Sequence, residues 1–530
     1  MFLFQNISLK QTGSLNPLVS DYIEQNPALR PFYSRFPHKE AFTEIVKSNP
    51  YQNLNRDVLC DVLLKQSASV SNTSDKTTKN IQQLKNGKTF TITTGHQLCL
   101  FTGPLYFIYK IISVINLCEK LKEQFPENNF IPVYWAATED HDFEEINHLN
   151  VFGKTIRWES SQSGAAGDFK TNELSEVFTQ LKDIFGNNDN AVYLNTLFEN
   201  AYLKNNNLAL ATRYLVNDLF GEYGLVTIDG NNAHLKQQFI SQFKKDVFEN
   251  LAYHKVNDSI KALKDLGYNA QVNPREVNCF YLEEGKRLRI EKEGKLYKLT
   301  GTARTFTEKE MNELIEKQPE KISPNVVLRP LYQQIILPNI AYVGGPGELA
   351  YWLEYKSMFE AHNAHFPLLI PRSFVTVIDK TTRSKIEKLN LEYGSVFKPE
   401  QALIKEFMDS ADISFTVENE KKEIEKIFSG LAINIGTIDA TLSASVKAEL
   451  QKALNSLELI NGKANRALKQ KSETELNQIR NIKEKLFPGG IPQERHDNFT
   501  VYYIKWGRDF IYNLKKNINP LALSQLLLIE

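Results

Sequence analysis

Thr93-Thr94-Gly95-His96-Gln97, with Thr102-Gly103-Pro104-Leu105-Tyr106 a few residues on, joins a β-like run at 89–93 to a long helical pattern that starts at Leu105. Leu105, Ile108, Ile112 and Ile115 recur at helical spacing, which predicts an amphipathic helix over 105–125. Phe130-Ile131-Pro132-Val133-Tyr134-Trp135-Ala136 then reads as a buried strand. Strand, helix and strand in this order make a β-α-β unit, hence a parallel pair with a right-handed crossover. Glycine and polar residues at a strand-to-helix switch are where α/β enzymes hold nucleotides and activated acids.

Outward from this unit the alternation returns. Leu225-Val226-Thr227-Ile228-Asp229-Gly230, Ala341-Tyr342-Val343 and Pro367-Leu368-Leu369-Ile370 read as further strands, and 279–283 with 287–291 as a hairpin around Glu284-Gly285. Residues 1–85 read as mostly helical, with a surface loop at 67–79. A polar stretch and an Asn-rich turn interrupt the rhythm at 151–220. After 379 the apolar residues from Ile424 to Leu457 follow steps of three and four, continued by Leu476, Ile479 and Leu486, as in a coiled coil or long helical hairpin. Phe487-Pro488-Gly489-Gly490 ends it, and the tail at 498–527 reads as helical and apolar enough to return to the core. The expected organisation is a core at 1–150 and 221–379 with an N-terminal helical segment, a connecting insertion at 151–220, a helical coiled coil at 380–490, and C-terminal helices at 491–530. The fold class is α/β, a parallel-sheet core with a long α-helical coiled-coil domain.

At 530 residues the chain is too long for one simple core. Lys+Arg and Asp+Glu both number 63, so the basic excess of a dedicated nucleic-acid binder is missing. No apolar run is long enough to span a bilayer, and Met1-Phe2-Leu3-Phe4-Gln5 lacks the basic start of a signal peptide. Cys60, Cys99, Cys118 and Cys279 are scattered without a C-x-x-C pair, which fits a reduced, cytoplasmic protein and signals no zinc ribbon or disulfide framework.

Three loops carry candidate chemistry. In the first, Gly95 and Gly103 allow close backbone approach, N–H groups near Gly103 and Pro104 can hold an anion, and His96, Gln97 and Thr102 supply polar side chains. A tight turn with a capped helix would read the same way, and Lys110 in the following helix suits solvent as well as a site. In the second, Thr138-Glu139-Asp140-His141-Asp142 follows the Trp135 strand. His141 is a general base or a hydrogen-bond donor to developing charge, Asp142 an alternative base, and Asp140 a substrate contact. Asp140 or Asp142 would also serve as a helix N-cap. His148 lies nearby, but no adjacent cysteine completes a metal set, and no metal is predicted. In the third, Gly344-Gly345-Pro346-Gly347-Glu348, the carboxylate favours an amine or hydroxyl ligand over phosphate, or simply complements the helix dipole. Arg372, just past the Ile370 strand, is a candidate anion clamp or a salt-bridge partner.

Thr94-Gly95-His96-Gln97 with Thr102-Gly103-Pro104-Leu105-Tyr106, Thr138-Glu139-Asp140-His141-Asp142-Phe143, Gly344-Gly345-Pro346-Gly347-Glu348 and Leu486-Phe487-Pro488 with Gln493-Glu494-Arg495 together resemble the bacillithiol synthase (BshC) family of cysteine ligases. The resemblance covers essentially the whole chain. It implies a Rossmann-like core with connecting-peptide insertions, similar to class I aminoacyl-tRNA synthetases, and a coiled coil that mediates homodimerisation. It also implies amide formation between cysteine and glucosaminyl-malate, with ATP as the simplest activator of the carboxylate. The Gly95-His96-Gln97 loop then takes the place of the synthetase histidine-glycine signature. The family pattern has Gln where this chain has His96, and no synthetase-type lysine-serine loop precedes the helical domain. Rival readings are a synthetase-like protein acting on RNA, and a non-catalytic nucleotide-binding coiled-coil scaffold.

Overall fold

The computed structural model describes residues 2–411, 413, 415–439 and 441–530. In chain order the strands that frame the candidate site are β1 (Thr89–His96), β2 (Asn129–Ala136), β3 (Val226–Asp229), β4 (Cys279–Glu283), β5 (Lys286–Glu293), β6 (Leu296–Leu299), β7 (Thr305–Thr307), β8 (Ile322–Pro324), β9 (Asn339–Gly344) and β10 (Leu368–Pro371). The central sheet has the order β10-β9-β1-β2-β3, and every neighbouring pair in it is parallel. The second sheet, β7-β6-β5-β4-β8, is antiparallel and contains the expected hairpin, turned at Glu284-Gly285.

β1 lies at the centre and is buried along its whole length. Its threonines can be buried because each hydroxyl finds an acceptor: Thr93 Oγ1 donates to Asn339 Oδ1 at 2.8 Å and Thr94 Oγ1 to the Val343 carbonyl at 2.8 Å. The crossover to β2 is α1 (Tyr106–Gln124). The helix is amphipathic in its second half, where Glu119, Lys120, Lys122 and Glu123 are exposed, but Phe107 to Ile115 are buried without a break, Lys110 and Ser113 included. The Ser113 hydroxyl is satisfied by the Tyr109 carbonyl at 2.7 Å. Two short helices follow β8 and β9, namely α2 (Arg329–Ile336) and α3 (Pro346–Trp352).

Two segments depart from the sequence expectation. Within 67–79, helix Asp75–Gln83 begins, its N-terminus capped by Ser74 Oγ accepting from the Thr77 amide at 3.0 Å. The tail carries helices Thr500–Trp506 and Arg508–Asn517 and then a strand, Ser524–Ile529.

The chain divides into two compact units, one of residues 4–376 and 493–527, the other of 377–492 with residues 2–3 and 528–530. The second unit holds α4 (Glu418–Gly436), α5 (Leu442–Lys471) and α6 (Glu473–Leu486). Lys421 of α4 pairs with Glu458 of α5, and Asn465 Nδ2 donates to the Phe415 carbonyl at 2.9 Å, so α4 and α5 run as a hairpin. Ile427, Ile433 and Ile438 are 65%, 71% and 83% exposed. Among the described residues no helix is long and apolar enough to cross a membrane.

Candidate active site at the carboxyl ends of the central strands

The parallel register sets Gly95 beside Trp135 and His96 beside Ala136, so the loops after β1 and β2 leave the sheet together. The loop after β9 joins them through two long side chains. Lys110, 3% exposed, donates from Nζ to the Gly95 carbonyl at 2.9 Å and forms an ion pair with Glu348. Glu348 also accepts from the Gly345 amide at 2.8 Å and the Tyr342 hydroxyl at 2.7 Å. Burial pushes this carboxyl up, but Lys110, the Gly345 amide and the Tyr342 hydroxyl outweigh it and hold Glu348 below the usual range. The amine expected beside Glu348 is therefore supplied by the chain itself. Gly344 has no room for a side chain: a Cβ would stand 3.1 Å from the Tyr342 ring and 3.2 Å from Glu348 Cβ.

His96 is buried between the rings of Tyr106 and Phe107, with centroids 5.4 and 5.1 Å away. Burial, helped by the Lys110 charge, lowers the imidazole to about 3, so it is neutral at physiological pH. Its Nε2 and the Thr102 Oγ1 are buried with no hydrogen-bond partner among the described residues. The loop between them is tightly wound: Phe101, Thr102 and Gly103 all have positive φ, at 48°, 72° and 65°. It is clasped from the far end of the chain. Asn498 Nδ2 donates to the carbonyls of Phe101 at 2.8 Å and Gly103 at 2.7 Å, and Phe499 stacks on Phe101. The amides expected to meet an anion are in use. Gly103 N–H donates to Leu100 O at 2.9 Å, and Leu105 N–H to Asp497 O at 2.7 Å.

The second loop meets the first through Gln97, whose Nε2 donates to Asp140 Oδ2 at 3.0 Å and to Glu145. Burial would raise the Asp140 carboxyl, but its bonds from the His141 amide, at 2.8 Å, and from Gln97, with the nearby Arg287, hold it well below its ordinary range. His141 Nδ1 lies 3.0 Å from Arg287 Nη1. A guanidinium only donates, so Nδ1 accepts and the ring proton sits on Nε2. In this contact His141 accepts through Nδ1, which leaves Nε2–H to donate. Asp142 is exposed and acts as an N-cap, accepting from the Glu145 amide at 3.4 Å.

Arg372 is not free to clamp an anion. Its fork grips Glu494 with contacts of 3.0 and 2.6 Å, and Nη1 also donates to Ser373 O at 3.0 Å. Between β2, β3 and β8 a narrow cleft is lined by Trp135, Thr138, Glu139, Gly230, Pro324 and Arg329. Glu139 pairs with the fully buried Lys236 at 2.6 Å, and the Asp229 carboxylate accepts from the Asn231 amide at 2.8 Å and from the Thr138 hydroxyl. Lys236, Arg287, Arg329 and Asn498 were not singled out in the sequence. Each lies far along the chain from the loop that it serves, and only Glu494, inside Gln493-Glu494-Arg495, carried a signal.

A parallel sheet with its loops gathered at the strand carboxyl ends, followed by a long helical hairpin, defines a Rossmann-like protein with a C-terminal coiled-coil domain. The chain belongs to the BshC family of bacillithiol biosynthesis. The family model described as "Bacillithiol biosynthesis BshC, N-terminal Rossmann-like domain" matches residues 2–373, and its C-terminal coiled-coil counterpart matches 375–530. Relatives named "Putative cysteine ligase BshC" include one from Flavobacterium psychrophilum, 42% identical over 520 residues and 97% of either chain. Another from Flavobacterium johnsoniae is 40% identical over 98% of either chain, and one from Bacillus anthracis 29% identical over 96% of either.

Proposed function

We propose that this protein is the cysteine ligase of bacillithiol biosynthesis, joining cysteine to the amine of glucosaminyl-malate through an amide, with ATP activating the cysteine carboxylate. The observation that carries the reading is the meeting, in a chain of this family, of three polar loops at the carboxyl edge of β1, β2 and β9, linked by Gln97 to Asp140 and by Lys110 to Glu348.

A carboxylate resists attack by an amine because oxide is a poor leaving group. Transfer of a phosphoryl or adenylyl group from ATP gives a mixed anhydride. The sugar amine attacks its carbonyl carbon, the C–N bond forms, the C–O bond to phosphate breaks, and the amine loses a proton. The chain's share is positioning and charge stabilisation. His96 Nε2 and Thr102 Oγ1, buried without partners among the described residues, are the groups that the first loop offers a nucleotide. Gln97 orients Asp140, and the His141 Nε2–H faces developing negative charge as a donor. Glu348 and Lys110 fix the backbone at Gly95 and Gly345. The substrates are small molecules, neither RNA nor membrane, the compartment is the cytoplasm, and two copies associate through the coiled coil.

The test is a mass-spectrometric assay of the purified protein with cysteine, glucosaminyl-malate and ATP, each left out in turn while AMP and ADP are followed. Bacillithiol that appears only with all three establishes the ligase, and the released nucleotide tells which anhydride forms. A folded protein that yields no product under any combination overturns the reading.

A further inference from the structure

Arg329 opens α2 and enters the cleft between two aromatic walls, its guanidinium carbon 5.8 Å from the Trp135 ring centre and 5.9 Å from that of Tyr342. Its polar partners are neutral: Gln333 Oε1 at 3.1 Å and the Tyr351 hydroxyl. Arg213, buried beside β3, is held by neutral groups, the Thr227 carbonyl at 2.7 Å and Gln66 Oε1 at 3.1 Å; four other cations around the site have a carboxylate. Lys110 has Glu348, Lys236 has Glu139, Arg372 has Glu494, and Arg287 lies 4.0 Å from Asp140. Among the described residues no carboxylate pairs with Arg329. Glu348 acts on it only through space, and is itself claimed by Lys110. A half-buried guanidinium with no carboxylate paired to it keeps its fork available to an anionic ligand.

The surroundings give that ligand access and a chemical class. A Cβ on Gly95 would stand 3.1 Å from Tyr342 Oη and 3.7 Å from Arg329 Nη1, so the bare strand edge leaves the guanidinium approachable. The planar fork matches a carboxylate in two parallel hydrogen bonds, and aromatic walls keep it oriented.

We propose that Arg329 is a substrate-binding residue that receives a carboxylate in this cleft. The identity of that carboxylate rests on the ligase reading, since cysteine brings one and the malyl group two.

The experiment is thermal-shift titration of the full chain with L-malate, L-cysteine and inorganic phosphate, for wild type, Arg329→Gln and Arg329→Lys. Malate or cysteine is expected to protect wild type saturably, and whichever protects names the carboxylate. The apparent Kd should rise at least tenfold in Arg329→Gln and at least threefold in Arg329→Lys, which keeps the charge but loses the fork. Circular dichroism checks that both fold, and the lysine variant decides alone if the glutamine variant does not. Unchanged affinity in the variants, protection by phosphate alone, or no protection of wild type by either acid overturns the proposal. None of these readouts needs turnover. A chain that binds malate through Arg329 and yet makes no bacillithiol would sink the ligase reading and leave this one standing.

Discussion

The Lys110 ammonium donates to the Gly95 carbonyl at 2.9 Å while paired with Glu348, so one side chain of α1 ties the end of β1 to the first turn of α3. Removing it leaves a partly buried carboxylate held only by the Tyr342 hydroxyl and the Gly345 amide. Lys110→Met should therefore destabilise the protein by about 3–5 kcal/mol, and Lys110→Met with Glu348→Gln should recover a large part of that loss. Urea unfolding of the two single variants and the double variant measures this. A double variant as unstable as the sum of the singles contradicts the pairing.

Asn498 holds two carbonyls of a loop whose backbone runs through three positive φ angles. Asn498→Ala should cost about 1–3 kcal/mol, because two buried acceptors lose their donor. It should also raise the KM for ATP more than it lowers kcat. Hydrogen exchange at 99–105 should quicken; unaltered protection there argues against the clasp.

Gly103 sits at φ 65°, ψ −137°, and a Cβ there would lie 2.5 Å from Cys99 Cβ. Both strain and clash oppose any side chain. Gly103→Ala is expected to lower stability by about 1–3 kcal/mol, read from the unfolding midpoint.

His96 has a pKa near 3 in the folded chain against an ordinary 6.5. The unfolded chain therefore binds the extra proton across that interval. The stability associated with a neutral His96 is complete above pH 6.5 and is lost as pH falls toward 3, on the order of 2 kcal/mol by pH 5. His96→Gln, which installs the family's residue, should flatten the acid limb of stability between pH 6.5 and 4. Ligase activity should stay within about threefold, with no shift in its pH profile above pH 6. A profile that moves with this substitution would make His96 a titrating catalytic group.

The exposed Ile427 and Ile438 mark an apolar stripe on the helical hairpin. Ile427→Glu with Ile438→Glu should convert a dimer to a monomer in sedimentation equilibrium, with the main thermal transition in place. A dimer that survives both charges places the association elsewhere.

The parallel sheet was legible because its strands are apolar runs that end in glycine or polar clusters, as at Gly95, Gly230 and Gly344. Helix Asp75–Gln83 was hidden since only Thr77 and Ile81 of its residues are buried, too few to show a helical period in a polar stretch. Leu526-Leu527-Leu528-Ile529 forms part of a strand, and a short uniformly apolar run fits helix and strand alike. The burial of Lys110 followed from the first half of α1 being covered on all sides, which residue spacing alone does not report. The loop residues of the site were visible, but their partnerships were not. Arg372 looked like a clamp because Glu494, 122 residues on, could not be placed beside it. Arg329 drew no notice, since what sets it apart is two aromatic walls and no paired carboxylate, a property of space and not of sequence.

The clasp at Asn498 reaches Phe101 across 397 residues of chain. On the ribosome the central sheet can be complete once residue 371 has emerged, but the loop beside His96 is not clasped until residue 498 follows. A chain cut short before residue 498 should then keep its sheet and lose the ordered loop at His96, so that shape and readiness to act part company.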